Sequence, residues 1–221
     1  GAIFGFLVAR DAYDTAILAP LFILMSLSLG MAVFWVTILT MCRWNGYRVS
    51  SELSEKLRRL SALFIFGVLY LVALHHLTNL YMAHHLGIER FLLVDGGVYP
   101  WLFWLGFVLC GGIVPVWWFL DRRFCAPAWS LTAALMVIVG GLCHLYVIII
   151  GAQAYPLRLV SGYRVDSGHY DGEITHYLPT LPELALGIGG VSLALLLTVL
   201  AVRVLPFLPT VTGPLPGSNQ A

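Results

Sequence analysis

The residues best suited to chemistry are four histidines at the end of one apolar segment. Residues 71–85 read LVALHHLTNLYMAHH and contain His75, His76, His84 and His85, out of seven histidines in the chain. An ionisable group inside a membrane span is costly unless it is paired or faces a polar cavity. Imidazole also changes charge near neutral pH. We therefore expect this segment to form the wall of a proton-coupled redox site, with the other helices around it.

The composition indicates which class of protein carries this segment. Of 221 residues, 60% are hydrophobic and only 10% are charged, and the mean hydropathy is +0.89. A soluble domain normally contains about 25% charged residues. The chain is therefore predicted to be an all-α integral membrane protein. Its formal net charge of +1 excludes a strongly basic nucleic-acid binder.

Five apolar segments are long enough to cross a bilayer, which requires about 20 residues. They cover approximately residues 15–41, 60–82, 100–120, 127–152 and 183–205. Residues 1–8 are apolar but too few to span, so we expect them to be the end of a helix whose beginning precedes this sequence. Residues 1–207 are predicted to form one partial helical bundle, followed by a flexible tail at residues 208–221. Closely spaced glycines within the spans predict tight helix packing.

The loops predict an orientation. Eight basic residues fall on the side of loop 42–59 and the carboxyl terminus, and four fall on the other side. Basic residues concentrate in cytoplasmic loops. We therefore expect a cytoplasmic carboxyl terminus and a periplasmic loop at residues 153–182. The connection at residues 83–99 contains a D-G-G turn signal.

Polar groups are expected to converge near the periplasmic ends of the spans. At 1.5 Å per residue, His75, His76 and His144 lie roughly 10 Å below that surface. The carboxylates at the same face are Asp11, Asp14 and Glu183. Such a set can accept and pass protons, and a quinone needs this, together with hydrogen-bond partners for its two carbonyl oxygens and an apolar wall for its tail.

Each of these residues also has a structural interpretation. Asp11 and Asp14 suit the amino end of the first span, and Glu183 suits a first helical turn. His144 alone could bond a backbone carbonyl. On a helix, neighbouring side chains point about 100° apart, so at most one of His75 and His76 is expected to face the interior. His84 and His85 are expected to be interfacial and in contact with water.

The four cysteines are scattered and form no C-x-x-C pair. Iron–sulfur clusters and structural zinc sites both use clustered thiolates. The chain is therefore expected to hold no iron–sulfur cluster of its own, and no metal-ligating residues are predicted.

Five stretches, considered together, resemble a known family. They are RDAYDTAILAPLF (10–22), HHLTNLY (75–81), YPWLFWLGFVLCGGIVP (99–115), GAQAYPL (151–157) and YLPTLPELALGIGG (177–190). Their order and spacing resemble the polysulfide reductase membrane-subunit family, NrfD/PsrC, with the closest similarity to its DsrP/HmeC-like and HybB-like members. Such members typically have roughly eight to ten spans, near twice the number found here.

The resemblance implies a function. It implies a subunit of a respiratory or sulfur-metabolism complex in a bacterial or archaeal cytoplasmic membrane. That subunit exchanges electrons between the quinone pool, menaquinone or ubiquinone, and a ferredoxin-like iron–sulfur partner on the periplasmic face. A multihaem cytochrome c is a further candidate partner.

From both arguments we predict two sets of site residues. The catalytic set is Asp11, His75, His76, His144 and Glu183. The quinone-binding set is Arg10, Asp14, Tyr81, Tyr146, Gln153 and Tyr177. Arg10, Asp11 and Glu183 are the positions that the resemblance implies most directly, whereas the histidines rest more on the depth argument.

Three alternative functions stay open. In a b-type haem protein, His75 or His76 would pair with His144 on one iron. A proton-translocating or transport subunit would place charge near the bilayer midplane. A structural anchor would tolerate replacement of every predicted catalytic residue.

Overall fold

The computed structural model describes residues 10, 12–44, 46, 48–156, 174, 177 and 179–204, with only the backbone at residues 202 and 203. Within these residues, five helices are long and apolar enough to cross a membrane. We label the helices α1 (Leu18–Trp44), α2 (Ser51–Tyr81), α3 (Leu86–Arg90, short), α4 (Val98–Leu120), α5 (Pro127–Ala154) and α6 (Leu181–Val204). Across those described ranges there is no β-strand. The predicted all-α membrane fold with five complete spans is confirmed.

Helix α2 begins nine residues earlier than predicted. The Ser50 hydroxyl accepts a hydrogen bond from the Leu53 N–H at 3.2 Å and so caps the first turn. The charged residues that suggested a loop are paired along the helix, since Lys56 lies 2.7 Å from Glu52 and Arg59 contacts Glu55. Assigning residues 51–59 to a loop was therefore wrong, because charge at i,i+4 spacing is compatible with a helix.

Helices α1, α2, α4 and α5 pack against one another around two apolar clusters. We call the end of the bundle at the connection between α2 and α4 the outer end, and the opposite end the inner end. The outer cluster includes Phe103 and Phe107, and the inner cluster includes Trp35 and Phe119. Between α4 and α5 the backbones approach so closely that a Cβ at Gly111 would lie 2.7 Å from the Gly140 Cα. This confirms the predicted role of these glycines in helix packing.

A buried arginine closes the inner end of the bundle. Arg58 on α2 donates hydrogen bonds to the carbonyls of Trp118 and Asp121, each at 2.7 Å. It therefore satisfies backbone oxygens that the end of α4 leaves without helical partners.

The connection between α2 and α4 folds back onto the outer end of the bundle. It consists of a 3₁₀ turn (Ala83–His85), α3, and a π-helical turn (Phe91–Asp95). Gly97 has a φ of 65°, a conformation that favours glycine, and α4 follows directly. The predicted D-G-G turn is confirmed, and the fold-back places one face of α3 inside the bundle.

Helices α4 and α5 both contain π-helical segments, Leu102–Ile113 in α4 and Val147–Gly151 in α5. Such segments are uncommon and often occur at functional sites. They concentrate at the outer end, near the histidines.

Helix α6 differs from the other spans. None of its apolar window is buried, and a Cβ at Gly187, Gly189 or Gly190 would meet nothing within 4 Å. For these glycines the packing prediction finds no support in the described part of the chain. The predicted helix end at residues 1–8 and the tail at residues 208–221 lie outside the described residues.

Candidate functional site

A buried carboxylate lies at the centre of the candidate site. Glu89 on α3 is only 1% exposed, and its Oε2 lies 2.6 Å from Nδ1 of His76. Its other oxygen, Oε1, accepts a hydrogen bond from Asn79 Nδ2 at 2.7 Å. The same Asn79 nitrogen lies 3.4 Å from His75 Nε2. We call His75, His76, Asn79 and Glu89 the histidine–glutamate network.

The surroundings of Glu89 favour its charged form. Burial alone would raise its pKa, but the hydrogen bonds from His76 and Asn79 and the two nearby imidazoles together lower the pKa of Glu89 below its ordinary value. With Glu89 ionised, His76 carries its hydrogen on Nδ1 and donates it to the carboxylate. The pair can therefore hold a proton and release it.

His144 on α5 extends the site across the bundle. Its ring stacks on Phe107, with centroids 4.0 Å apart and an interplanar angle of 12°. Phe103 contacts both His144 (6.1 Å) and His76 (4.9 Å), so one aromatic ring joins His144 to the network.

Three imidazole nitrogens in this region have no hydrogen-bond partner among the described residues. They are both ring nitrogens of His144 and Nδ1 of His75. Leaving a buried polar atom unpaired costs about 1–3 kcal/mol. His144 is 1% exposed and packs against the rings of Phe103 and Phe107, so these nitrogens are the groups in this region available to hydrogen-bond a polar ligand.

We predicted that at most one of His75 and His76 would face the interior, and this prediction was wrong. His75 is 6% exposed and the side chain of His76 is 13% exposed. His76 is covered by Glu89 of α3 and Phe103 of α4, which lie over a face that a lone helix would leave open. The prediction considered α2 by itself.

Arg10 and Tyr13 hold the outer end of α5. The Tyr13 hydroxyl donates to the carbonyls of Ile148 (2.9 Å) and Ile149 (3.2 Å) in the π-helical segment. The Arg10 guanidinium donates to the carbonyls of Gln153 (3.0 Å) and Tyr155 (3.3 Å). Burial raises the pKa of Tyr13 to about 12, so its phenol stays protonated. Arg10 thus contacts backbone at the edge of the site.

Glu183 does not contact the histidine–glutamate network. Its carboxylate is exposed and accepts hydrogen bonds from the Tyr177 hydroxyl (2.6 Å) and the Thr180 N–H (2.8 Å) at the start of α6. Among the described residues, the Tyr146 hydroxyl donates to the Tyr177 carbonyl, at 3.5 Å. Glu183 thus has the first-turn geometry considered as its structural interpretation.

Other predicted ligand-binding residues also lie apart from the network. Tyr81 is 90% exposed, and the side chain of Gln153 is exposed. Asp14 is exposed and lies beside His84 and His85. Asp11 lies outside the described residues.

The expectation that His85 contacts water was wrong. His84 is exposed, but His85, the last residue of the 3₁₀ turn, is fully buried. Its ring lies 3.7 Å from that of His84.

Sequence reasoning missed Glu89, Asn79 and Tyr13. Asn79 follows His75 by one helical turn, a spacing that places both on one face. Glu89 resembled any other loop acid, because only the fold-back of α3 buries it. Tyr13 lay within the family-like stretch at residues 10–22 but had no assigned role.

Residues 1–156 match the family model described as polysulphide reductase, NrfD. The chain belongs to the NrfD family. It is 28% identical to the Hdr-like menaquinol oxidoreductase integral membrane subunit of Archaeoglobus fulgidus, covering 95% of this chain and 53% of that protein. It is 29% identical to a putative dimethyl sulfoxide reductase membrane subunit of Halobacterium salinarum, covering 93% of this chain and 49% of that protein.

The chain therefore spans about half the length of these curated relatives. No solved structure matches it significantly. The family prediction is confirmed, whereas the DsrP/HybB-like branch stays a prediction.

Proposed function

We propose that this NrfD-family chain forms the quinone-reactive part of a membrane subunit in a multi-subunit redox complex. The observation that carries the proposal is the buried Glu89–His76 pair beside His144, whose two ring nitrogens have no partner in the described structure. The name of the Archaeoglobus relative, a menaquinol oxidoreductase subunit, supports the same class of ligand and favours menaquinone over ubiquinone.

The residues fit a quinone headgroup. A quinone supplies two-electron, two-proton chemistry when bound. His144 would donate a hydrogen bond to one carbonyl oxygen, and Phe107 would keep the imidazole in position by stacking. His76 retains some exposure and would exchange a proton with the ligand, while Glu89 stabilises the charged imidazole. Asn79 holds Glu89 in place. His75, also a predicted catalytic residue, would contribute through its Nδ1, which has no partner among the residues that the structure describes.

The partners and orientation belong to the same proposal. Electrons would pass between the quinone and a ferredoxin-like iron–sulfur subunit, with a multihaem cytochrome c as a further candidate, on the periplasmic face of a bacterial or archaeal cytoplasmic membrane. The distribution of basic residues supports this orientation.

Cys125, exposed in the turn between α4 and α5, provides a test of the proposed orientation. A membrane-impermeant maleimide should label it in inverted vesicles and not in right-side-out vesicles.

The geometry favours a quinone over haem. A bis-histidine haem requires His76 or His75 and His144 to face one iron. Phe103 instead contacts both His76 and His144, and His76 Nδ1 is engaged with Glu89.

A proton-transport path through the bilayer is also disfavoured, because the inner end is filled by the apolar cluster around Trp35 and Phe119.

The proposal is tested by quinol oxidation in the intact complex purified from membranes. His144→Leu should lower turnover with a menaquinol analogue at least about tenfold, the effect of losing a bound-state hydrogen bond of roughly 1.5 kcal/mol or more. Thr78→Val is the matched control, because in the described structure that hydroxyl bonds the carbonyl of Leu74 on its own helix. Unchanged turnover in His144→Leu would overturn the proposal, as would a haem absorption band that this variant loses.

A further inference from the structure

A second cluster of chemically active side chains lies outside the network. Asp14, His84 and His85 each offer one ligand atom, and these atoms all lie within 4.8 Å of one another. We call these three residues the surface triad. His85 is fully buried, and neither of its ring nitrogens has a hydrogen-bond partner in the described structure. Asp14 and His84 are exposed, so the triad is open on one side.

Two separately anchored segments supply the triad. Asp14 follows Tyr13, which is fixed to α5 through the carbonyls of Ile148 and Ile149. His84 and His85 lie in a 3₁₀ turn in which the His85 N–H bonds the Met82 carbonyl at 3.0 Å. The two segments are remote in sequence, so only the fold brings the carboxylate to the imidazoles. Positions set by anchored backbone reduce the cost of bringing ligands together around an ion.

The chemistry of the donor set selects the ion. Imidazole nitrogen and carboxylate oxygen suit Zn²⁺, whereas Mg²⁺ and Ca²⁺ prefer oxygen ligands alone. Three protein ligands with one open position are typical of zinc sites that keep a bound water. With two neutral imidazoles and one carboxylate, a bound Zn²⁺ would leave the site with a formal charge of +1. Water can solvate this charge because one side of the triad is exposed.

We propose that Asp14, His84 and His85 form a Zn²⁺-binding site at the outer end of the bundle. The sequence predicted no metal-ligating residues because its cysteines are scattered, whereas the site proposed here contains no cysteine. The proposal does not depend on the quinone assignment, because the triad shares no residue with the histidine–glutamate network.

The test uses the intact complex, stripped with a chelator and titrated with Zn²⁺ by calorimetry. Asp14→Asn and His84→Ala should each weaken Zn²⁺ binding at least about tenfold, since even outer-sphere changes cost 10–100-fold in metal affinity. Both side chains are exposed, so replacement should leave the thermal unfolding of the stripped complex unchanged. Zinc-edge X-ray absorption of the loaded complex should show two imidazole ligands, and one fewer in His84→Ala.

The matched control replaces both other histidines in connecting segments, His169 and His176, with alanine. This double variant should bind Zn²⁺ like the parent. Equal affinity in the parent, Asp14→Asn and His84→Ala would overturn the proposal. Loss of Zn²⁺ binding in the His169/His176 double variant would also overturn it, because histidines of the loop at residues 153–182 would then bind the ion.

Discussion

Nδ1 of His76 and Oε2 of Glu89 lie 2.6 Å apart, although the two residues are thirteen positions apart in the chain. The contact joins α2 to α3 and buries a charged carboxylate at the end of a membrane helix bundle. Glu89 is therefore the residue whose replacement should affect both the chemistry and the stability of this region.

Replacing Glu89 with Gln should lower quinol turnover by at least about tenfold, because Glu89 positions and stabilises His76, and a positioned proton-transfer group typically contributes about 10²–10⁴-fold. The neutral amide cannot stabilise a charged His76. The measurement is the rate of quinol oxidation by the assembled complex. Asp95→Asn is the matched control, since Asp95 is exposed and, within the described part of the chain, pairs with Arg90 at 2.5 Å. Equal rates in the two variants would remove Glu89 from the proposed mechanism.

The depressed pKa of Glu89 predicts how stability depends on pH. The folded-state pKa lies below the unfolded value of about 4.3, so the stabilisation is fully present above that value and is lost as the pH falls through the folded pKa. Thermal unfolding of the complex in detergent should therefore shift to lower temperature under acid. Glu89→Gln should reduce this acid sensitivity, and a variant with the same pH profile as the parent would contradict the prediction.

Replacing Tyr13 with Phe removes the hydroxyl that two carbonyls of α5 share. We expect destabilisation of about 0.5–1.5 kcal/mol for the lost hydrogen bond, with more if the carbonyls stay unsatisfied. Thermal unfolding measures the change. Tyr81→Phe serves as the comparison, because Tyr81 is 90% exposed and its replacement should leave stability unaltered. If the two variants unfold alike, Tyr13 does not hold α5.

Replacing Gly140 with Ala should push α4 and α5 apart. The added Cβ would contact the Gly111 Cα well inside normal separation, and neither backbone can move without shifting its helix. Overpacking of this kind costs about 1–3 kcal/mol. Gly187→Ala, where a Cβ meets nothing within 4 Å, should be neutral. The recovery of folded complex from membranes and its unfolding temperature report both effects, and a stable Gly140→Ala variant would mean that the helices do not pack as described.

The sequence by itself determined that the chain lies in a lipid bilayer and which segments form the membrane-spanning helices. Few charges and five long apolar segments cannot cover a water-facing surface, so they require helices in a bilayer, where backbone groups must bond within each segment. Helical rise alone put His75, His76 and His144 at one depth. The glycines at 111 and 140 predicted close packing, because small residues allow membrane helices to approach.

Only the tertiary structure decided which polar groups meet. Glu89 became the partner of His76 because α3 folds back after a short connection, and no helical or strand periodicity records such a reversal. The same fold-back buried His85 and brought it to Asp14, while Glu183 stayed exposed at the start of α6. Depth along a helix follows from counting residues. Neighbours across a bundle depend on how helices rotate and connections fold, which packing between distant residues sets.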